Sequence, residues 1–187
     1  ASATDAEQSA DAFLALHDLI AKDFPAFHAA AKREIVAKYS LLYTWEGSDP
    51  KAPPVALLAH QDVVPIAPGT DGDWQVPPFS GAVKDGFIWG RGSWDDKGNL
   101  FSILEAVEQL AKENFRPKRP VYLAFGHDEE VSGKRGAAAI SKLLQSRGVR
   151  FDYAFDEGLL ITEGVLKGID KPVALIGVAE KGYVTLN

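Results

Sequence analysis

Two short, wholly apolar runs constrain this chain most. Val55–Ala59 (VALLA) and Val121–Phe125 (VYLAF) show no alternation of apolar and polar residues. A strand with one wet face alternates, so unbroken runs belong to strands covered on both faces, as in sheets sandwiched between helices. Helical patterns surround them. Ser9–Lys38 reads as helical: Phe13, Leu14, Leu16, Leu19 and Ile20 fit one face, and Pro25 opens a second stretch carrying Phe27, Ala31 and Ile35. Gly98–Lys112 sets Ile103, Leu104, Val107 and Leu110 on one face, and Arg135–Arg147 is a further helix. Further strands are expected at Ser40–Trp45, Phe87–Trp89, Tyr153–Phe155, Val173–Val178 and Tyr183–Leu186. The order of strands and helices predicts an α/β fold: three α/β/α layers around a mixed, largely parallel sheet.

Each of the apolar runs ends on chemistry. Past Val55–Ala59 stand His60, Gln61 and Asp62; past Val121–Phe125 stand Asp128, Glu129 and Glu130; past Tyr153–Phe155 stand Asp156 and Glu157. Asp95 and Asp96 follow Gly90-Arg91-Gly92 and open the helix at Gly98. Parallel strands bring their carboxyl ends to one edge of a sheet, where sites form. Carboxylates gathered there repel one another unless cations neutralise them, and one imidazole with several carboxylates suits zinc or a similar divalent ion.

Each cluster has a plainer reading beside the functional one. His60 could ligate a metal through one ring nitrogen while Asp62 holds the other, the usual support of a metal histidine; H-x-D alone also fits a capped loop histidine. Asp95 or Asp96 could bridge two metals or cap the following helix, and both can hold at once. In strand geometry Glu129 and Glu130 point to opposite sides, so one can bind metal while the other faces the attacking water; an exposed acidic turn is the alternative. Lys97 reads as an ion-pair partner, and His17, His28 and His127 as structural. Trp74, Pro77, Pro78 and Phe79 lie in Pro65–Ser80, a long loop with four prolines, and read as a loop wall. Taken together, the clusters favour a two-metal hydrolase over an acidic binding surface.

The bulk numbers exclude other classes. With 187 residues the chain can build one sizeable core. A formal charge of −6 with no basic run argues against a nucleic-acid binder. No apolar stretch approaches the roughly 20 residues of a membrane span, so no membrane contact is expected from this segment. The absence of cysteine rules out disulfides and thiolate metal ligands. The chain opens on Ala1 and contains no methionine, which suggests a processed or excised chain. Secretion, a periplasmic location or a membrane anchor would follow if a leader was trimmed, and a cytoplasmic one otherwise.

The stretches LLAHQDVVP (57–65), GRGSWDDKG (90–98), GHDEE (126–130) and FDEG (155–158) carry a resemblance. YSLLYTWEGSDP (39–50), WQVPPFSG (74–81) and AEKGYV (179–184) extend it over nearly the whole chain. The sequence resembles the zinc metallopeptidases that include aminoacylase, acetylornithine deacetylase, succinyl-diaminopimelate desuccinylase and glutamate carboxypeptidase, above all their carboxypeptidase S and N-acyl-amino-acid hydrolase branch. The resemblance implies a zinc-peptidase-like catalytic domain. His60 would ligate one zinc, oriented by Asp62, and Asp95 would bridge two zinc ions. A cis Asp95–Asp96 peptide is implied. Glu129 would be the general base, Glu130 a ligand of the second zinc, and Asp156 would complete the site of His60. The implied reaction is hydrolysis of the amide bond of an N-acyl amino acid or of a short peptide with a free C-terminus.

The same resemblance implies what these residues omit. The family inserts a smaller dimerisation and lid domain after about this point, then returns to the catalytic domain with a further metal-binding histidine. None of the four histidines here matches it. The expectation is therefore the N-terminal part of a catalytic domain, with one zinc where the complete site holds two, inactive alone, and a full-length protein that pairs through the inserted domain. Two competing readings remain at this point: a non-catalytic metal-binding module, and a two-zinc aminopeptidase.

Overall fold

The computed structural model describes residues 10–158 and 161–179, in two compact units divided after Asp156. The first unit opens with helices α1 (Ala10–Asp23) and α2 (Pro25–Ala30). Strands β1 (Lys32–Val36), β2 (Ser40–Trp45) and β3 (Val55–His60) follow. A small hairpin, β4 (Ala82–Lys84) and β5 (Phe87–Trp89), precedes helix α3 (Lys97–Lys112). Strand β6 (Val121–Gly126), helix α4 (Ala137–Ser146) and strand β7 (Tyr153–Phe155) complete it. The second unit contains a two-residue antiparallel pair, β8 (Ile161–Thr162) and β9 (Val173–Ala174).

Five strands form one mixed sheet in the order β1-β2-β6-β3-β7. β3 lies parallel to both β6 and β7, whereas β2 is antiparallel to β6 and to β1. Four of the five strands thus run one way, although only two of the four pairings are parallel. The unbroken runs sit at the centre, with β3 and β6 in register from Val55↔Val121 to His60↔Gly126.

Both faces are covered, as unbroken apolar strands require. On one face Leu41, Tyr43 and Trp45 of β2 and Leu123 and Phe125 of β6 pack against Ile20, Phe24, Phe27, Leu100, Leu104 and Val107. The alternate residues, Leu42, Tyr122 and Ala124, meet Ile140, Leu143 and Leu144 of α4 on the other. The period-two alternation of β2 and β6 therefore feeds two cores, which makes three layers.

Several elements differ from the sequence reading. Lys32–Val36 is a strand, not the end of a helix. Ala37 and Lys38 take φ of 49° and 80°, which turns the chain back so that β1 lies along β2. The apolar spacing of Phe27, Ala31 and Ile35 that suggested one helix spans a helix and a strand, and the charged residues of β1 decorate a sheet edge, a common guard against edge pairing. Glu34 there forms a two-pronged pair with Arg147 at 2.8 and 2.9 Å. Of Val173–Val178 only Val173–Ala174 is strand, and Tyr183–Leu186 lies outside the described residues. Glu129 and Glu130 sit in a 3-10 turn, Glu129–Val131, so the opposite-sides expectation from strand geometry does not apply.

On α3, Leu110 is partly exposed while Glu108 is buried. Glu108 reaches across to α2 and accepts hydrogen bonds from the Phe27 and Ala26 N–H groups at 2.7 and 3.2 Å. Lys112 stands 3.3 Å away. Burial pushes this carboxyl up, but the two N–H donors and Lys112 together bring it below the ordinary glutamate value. Replacing Glu108 by Ala strands two backbone donors, and we expect a loss of about 3 kcal/mol in urea unfolding. With a lowered folded value, the ionised carboxyl contributes fully above the ordinary glutamate range. The advantage of the wild type over Glu108→Gln should therefore shrink as pH falls through the lowered folded value.

Candidate metal centre

The register His60↔Gly126 sets the carboxyl ends of β3 and β6 side by side. His60 is the last residue of β3 and is buried. Its backbone N–H donates to Asp96 Oδ2 at 3.0 Å, which ties the strand end to the start of α3. Asn99, one turn into α3, donates to the Leu58 carbonyl at 3.1 Å and stands 3.4 Å from the same Asp96 oxygen. Asp96 occupies the N-cap position yet makes no capping bond with its side chain. Its carboxylate serves β3 instead, while the neighbouring Asp95 side chain stays largely exposed toward the cluster. The peptide between them is cis.

The imidazole of His60 is held at both nitrogens. Nδ1 lies 3.0 Å from the Asp62 carbonyl and 3.3 Å from Asp62 Oδ1. A carbonyl only accepts, so Nδ1 donates, and Nε2 is the nitrogen turned to the cluster. Nε2 stands 2.9 Å from Asp95 Oδ1 and 3.9 Å from Glu129 Oε2. A ring nitrogen and a carboxylate oxygen this close need a positive centre, either a proton or a metal ion that takes its place. His60, Glu129 and Glu130 each offer one ligand atom, all within 4.8 Å of one another. This donor set of imidazole nitrogen and carboxylate oxygens fits zinc.

The acidic turn after β6 is placed by Asp62. Its buried carboxylate accepts from the Glu129 N–H at 3.0 Å and the Glu130 N–H at 3.2 Å. Glu130 in turn accepts from the Val64 N–H at 3.2 Å. Asp128, first of the three acids, faces away and closes the next loop, accepting from the N–H groups of Arg135 and Gly136, both at 2.8 Å. A Cβ at Gly136 would lie 2.6 Å from Asp128 Oδ1, so glycine is required there. Asp156 stands just past β7, exposed, beyond the last pairing Leu57↔Phe155. It belongs to no group of three close ligand atoms among the described residues, although its charge reaches Glu129.

The crowding shows in the electrostatics. Burial pushes Glu129 above the usual glutamate value; the nearby His60 opposes the shift, while Asp62, Asp95 and Asp156 add to it. Glu130 is raised first by burial and then by Asp95, again against the pull of His60. A divalent cation among these groups would reverse that direction.

The other histidines are engaged elsewhere. His127 Nδ1 lies 2.6 Å from Ser40 Oγ, and His28 bonds to the Phe24 carbonyl and the Tyr43 hydroxyl. His17 Nε2 stands 2.9 Å from Gln61 Oε1 and 3.0 Å from the Tyr39 carbonyl, with burial holding the ring below its usual pKa.

Two further residues act as positioners: Gln61, to which the sequence reading gave no role, and Lys97, read there as an ion-pair partner but here bonded to a backbone carbonyl. Gln61 is buried, and its amide donates to the Tyr39 and Phe125 carbonyls at 2.9 and 2.8 Å. Lys97 donates to the Gln61 carbonyl at 2.8 Å and is pushed below the usual lysine value by burial, against the pull of Asp62 and Asp96. A lysine at the first position of a helix opposes the helix dipole, and that misfit was the available signal for Lys97.

Comparison with known proteins places the chain in a family. Residues 56–177 match the peptidase family M20/M25/M40. The chain is 49% identical over 182 residues to N-fatty-acyl-amino acid synthase/hydrolase PM20D1 of Mus musculus, covering 96% of this chain and 36% of that one. It is 46% identical over 178 residues to carboxypeptidase S of Saccharomyces cerevisiae, covering 92% and 30%. The chain thus spans about a third of the length of these relatives. Its fold is that of human carnosine dipeptidase 1, with a TM-score of 0.60 and 23% identity over 79% of this chain and 34% of that one. The metallo-carboxypeptidase Sso-CP2 of Sulfolobus solfataricus gives 0.59 and 20%, covering 79% and 32%. The strand-end histidine, the acidic turn and a family match over most of the first unit lead to one assignment: the chain belongs to peptidase family M20/M25/M40.

Proposed function

We propose that this chain carries most of the site of a two-zinc hydrolase that cleaves the amide bond of N-acyl amino acids or of short peptides with a free C-terminus. The observation that carries this reading is His60, with Nδ1 tied to Asp62 and Nε2 turned toward Asp95 and Glu129. His60 and Asp156 would hold one zinc, Glu130 the other, and Asp95 would span both. When bound, the metals would lower the pKa of a water and polarise the scissile carbonyl.

The chain's own residues do the remaining work. Glu129 takes a proton from the attacking water and returns it to the leaving amine. Asp62 fixes the Glu129 and Glu130 backbone and the His60 ring at once, so base and ligands keep their spacing. The names of the relatives, an N-fatty-acyl-amino acid synthase/hydrolase and a carboxypeptidase, support an acylated or peptidic substrate with a C-terminal carboxylate.

Among the described residues only His60 brings an imidazole to the cluster. We therefore expect the 187-residue chain alone to retain about one zinc after dialysis and to show little or no turnover of an N-acyl amino acid. Elemental analysis and an amine-release assay check both, and full turnover by the isolated chain would refute the reading. In the full-length enzyme, Glu129→Gln should lower kcat by about 10²–10⁴-fold with zinc content nearly intact. His60→Ala should lose zinc itself, measured by the same elemental analysis.

A further inference from the structure

Helix α1 buries Phe13, His17 and Ile20 along one face. That spacing is the inward stripe of an amphipathic helix, and an apolar side chain would fill its middle place with no polar atom to satisfy. His17 stands there instead, with its ring facing Gln61.

The Gln61 amide can be oriented without ambiguity. Its nitrogen end lies 2.9 Å from the Tyr39 carbonyl and 2.8 Å from the Phe125 carbonyl, and carbonyls only accept. The oxygen end therefore faces His17, whose Nε2 is 2.9 Å from it and 3.0 Å from the Tyr39 carbonyl. Burial, first of the causes, holds this ring below its usual pKa, so one nitrogen carries the proton. Two acceptors face Nε2, so the proton is there. Nδ1 is left buried, with no hydrogen-bond partner among the described residues. A bare buried acceptor is destabilising. What histidine adds at this place, against that cost, is one N–H aimed at Gln61.

Gln61 lies between His60 and Asp62, and each of its polar groups is bound. Its N–H donates to the Gly126 carbonyl at 2.8 Å, and its carbonyl accepts from Lys97. The side chain ties the approach to β2 at Tyr39 to β6 at Phe125. His17 supplies the donor for the remaining group, Oε1, and brings α1 into the same junction.

We propose that His17 is a positioning residue of the metal centre: through its Nε2–H it locks the Gln61 amide, and Gln61 fixes the backbone that carries His60 and Asp62. This role at the centre rests on His60 being a zinc ligand, as proposed.

The test strips the full-length protein of metal with EDTA and titrates it with zinc against a competing chelator. Glutamine carries its amide nitrogen as many bonds from Cα as Nε2 is, and asparagine as many as Nδ1. His17→Gln therefore keeps a donor at Gln61 Oε1 and should bind zinc as the wild type does. His17→Asn and His17→Phe should weaken zinc about ten-fold, the low end for loss of a group that supports metal ligands. His17→Asn is smaller than the wild type, which covers the case where His17→Phe fails to fold. In a Gln61→Met background none of the three should weaken zinc further, because the residue through which His17 acts is gone. Hydrogen exchange of the metal-free protein should quicken at residues 60–62 in His17→Asn and not in His17→Gln. Equal loss of zinc in His17→Gln and His17→Asn would mark a packing role alone and overturn the proposal, as would wild-type affinity in both His17→Asn and His17→Phe. If His60→Ala leaves zinc affinity unchanged, the metal-centre reading falls, while exchange at residues 60–62 still decides whether His17 holds that segment.

Discussion

The Asp62 carboxylate is the contact on which the geometry of the metal centre depends. It is buried, and it bonds to the N–H groups of both Glu129 and Glu130 while the same residue's carbonyl holds His60 Nδ1. One side chain thus joins the carboxyl ends of two parallel strands, β3 and β6. Parallel pairing alone sets those ends level; it does not orient the residues beyond them. Burying an anion is expensive unless donors surround it. The two N–H groups it needs belong to the acidic turn whose placement the cluster requires, so the cost of burying Asp62 and the order of Glu129 and Glu130 are one interaction.

A second set of ties works from α3. Asp96 accepts from the His60 N–H, Asn99 donates to the Leu58 carbonyl, and Lys97 donates to the Gln61 carbonyl. The first turn of α3 is therefore stitched to the end of β3, and Asp95 is carried to within 2.9 Å of His60 Nε2. Structural carboxylates and presenting ones stand side by side in sequence: Asp96 and Asp128 bond to backbone, while Asp95, Glu129 and Glu130 crowd together, and burial first and neighbouring carboxylates second raise both glutamates. Part of each acidic cluster supports the part that faces outward.

Much of this was legible in the sequence because burial leaves a pattern. The unbroken runs VALLA and VYLAF marked the two central strands, and the acids beyond them marked one edge of the sheet. β1 was not legible: Lys32–Val36 carries edge charges that suit a helix surface equally well, and the turn at Ala37 and Lys38 has no glycine to announce it. The support network was hidden for a different reason. Asp62, Asp96 and Asp128 accept mainly from backbone N–H groups, and a backbone donor has no letter. Sequence could therefore name the acids in each cluster but could not say which of them would be spent on the main chain. Glu129 and Glu130 likewise looked like a strand continuation, whereas the bonds from Asp62 curl them into a 3-10 turn.

The segment Gln61–Val63 separates two environments of opposite demand. On one side stand crowded carboxylates around His60, which require a cation. On the other stands Arg91, whose buried Nε lacks an acceptor among the described residues. The segment between them is held at every residue: Gln61 by Tyr39, Phe125 and Lys97, Asp62 by the acidic turn, and Val63 by the close approach of Gly92. A wall pinned in this way transmits little movement, so occupation of one side should not rearrange the other.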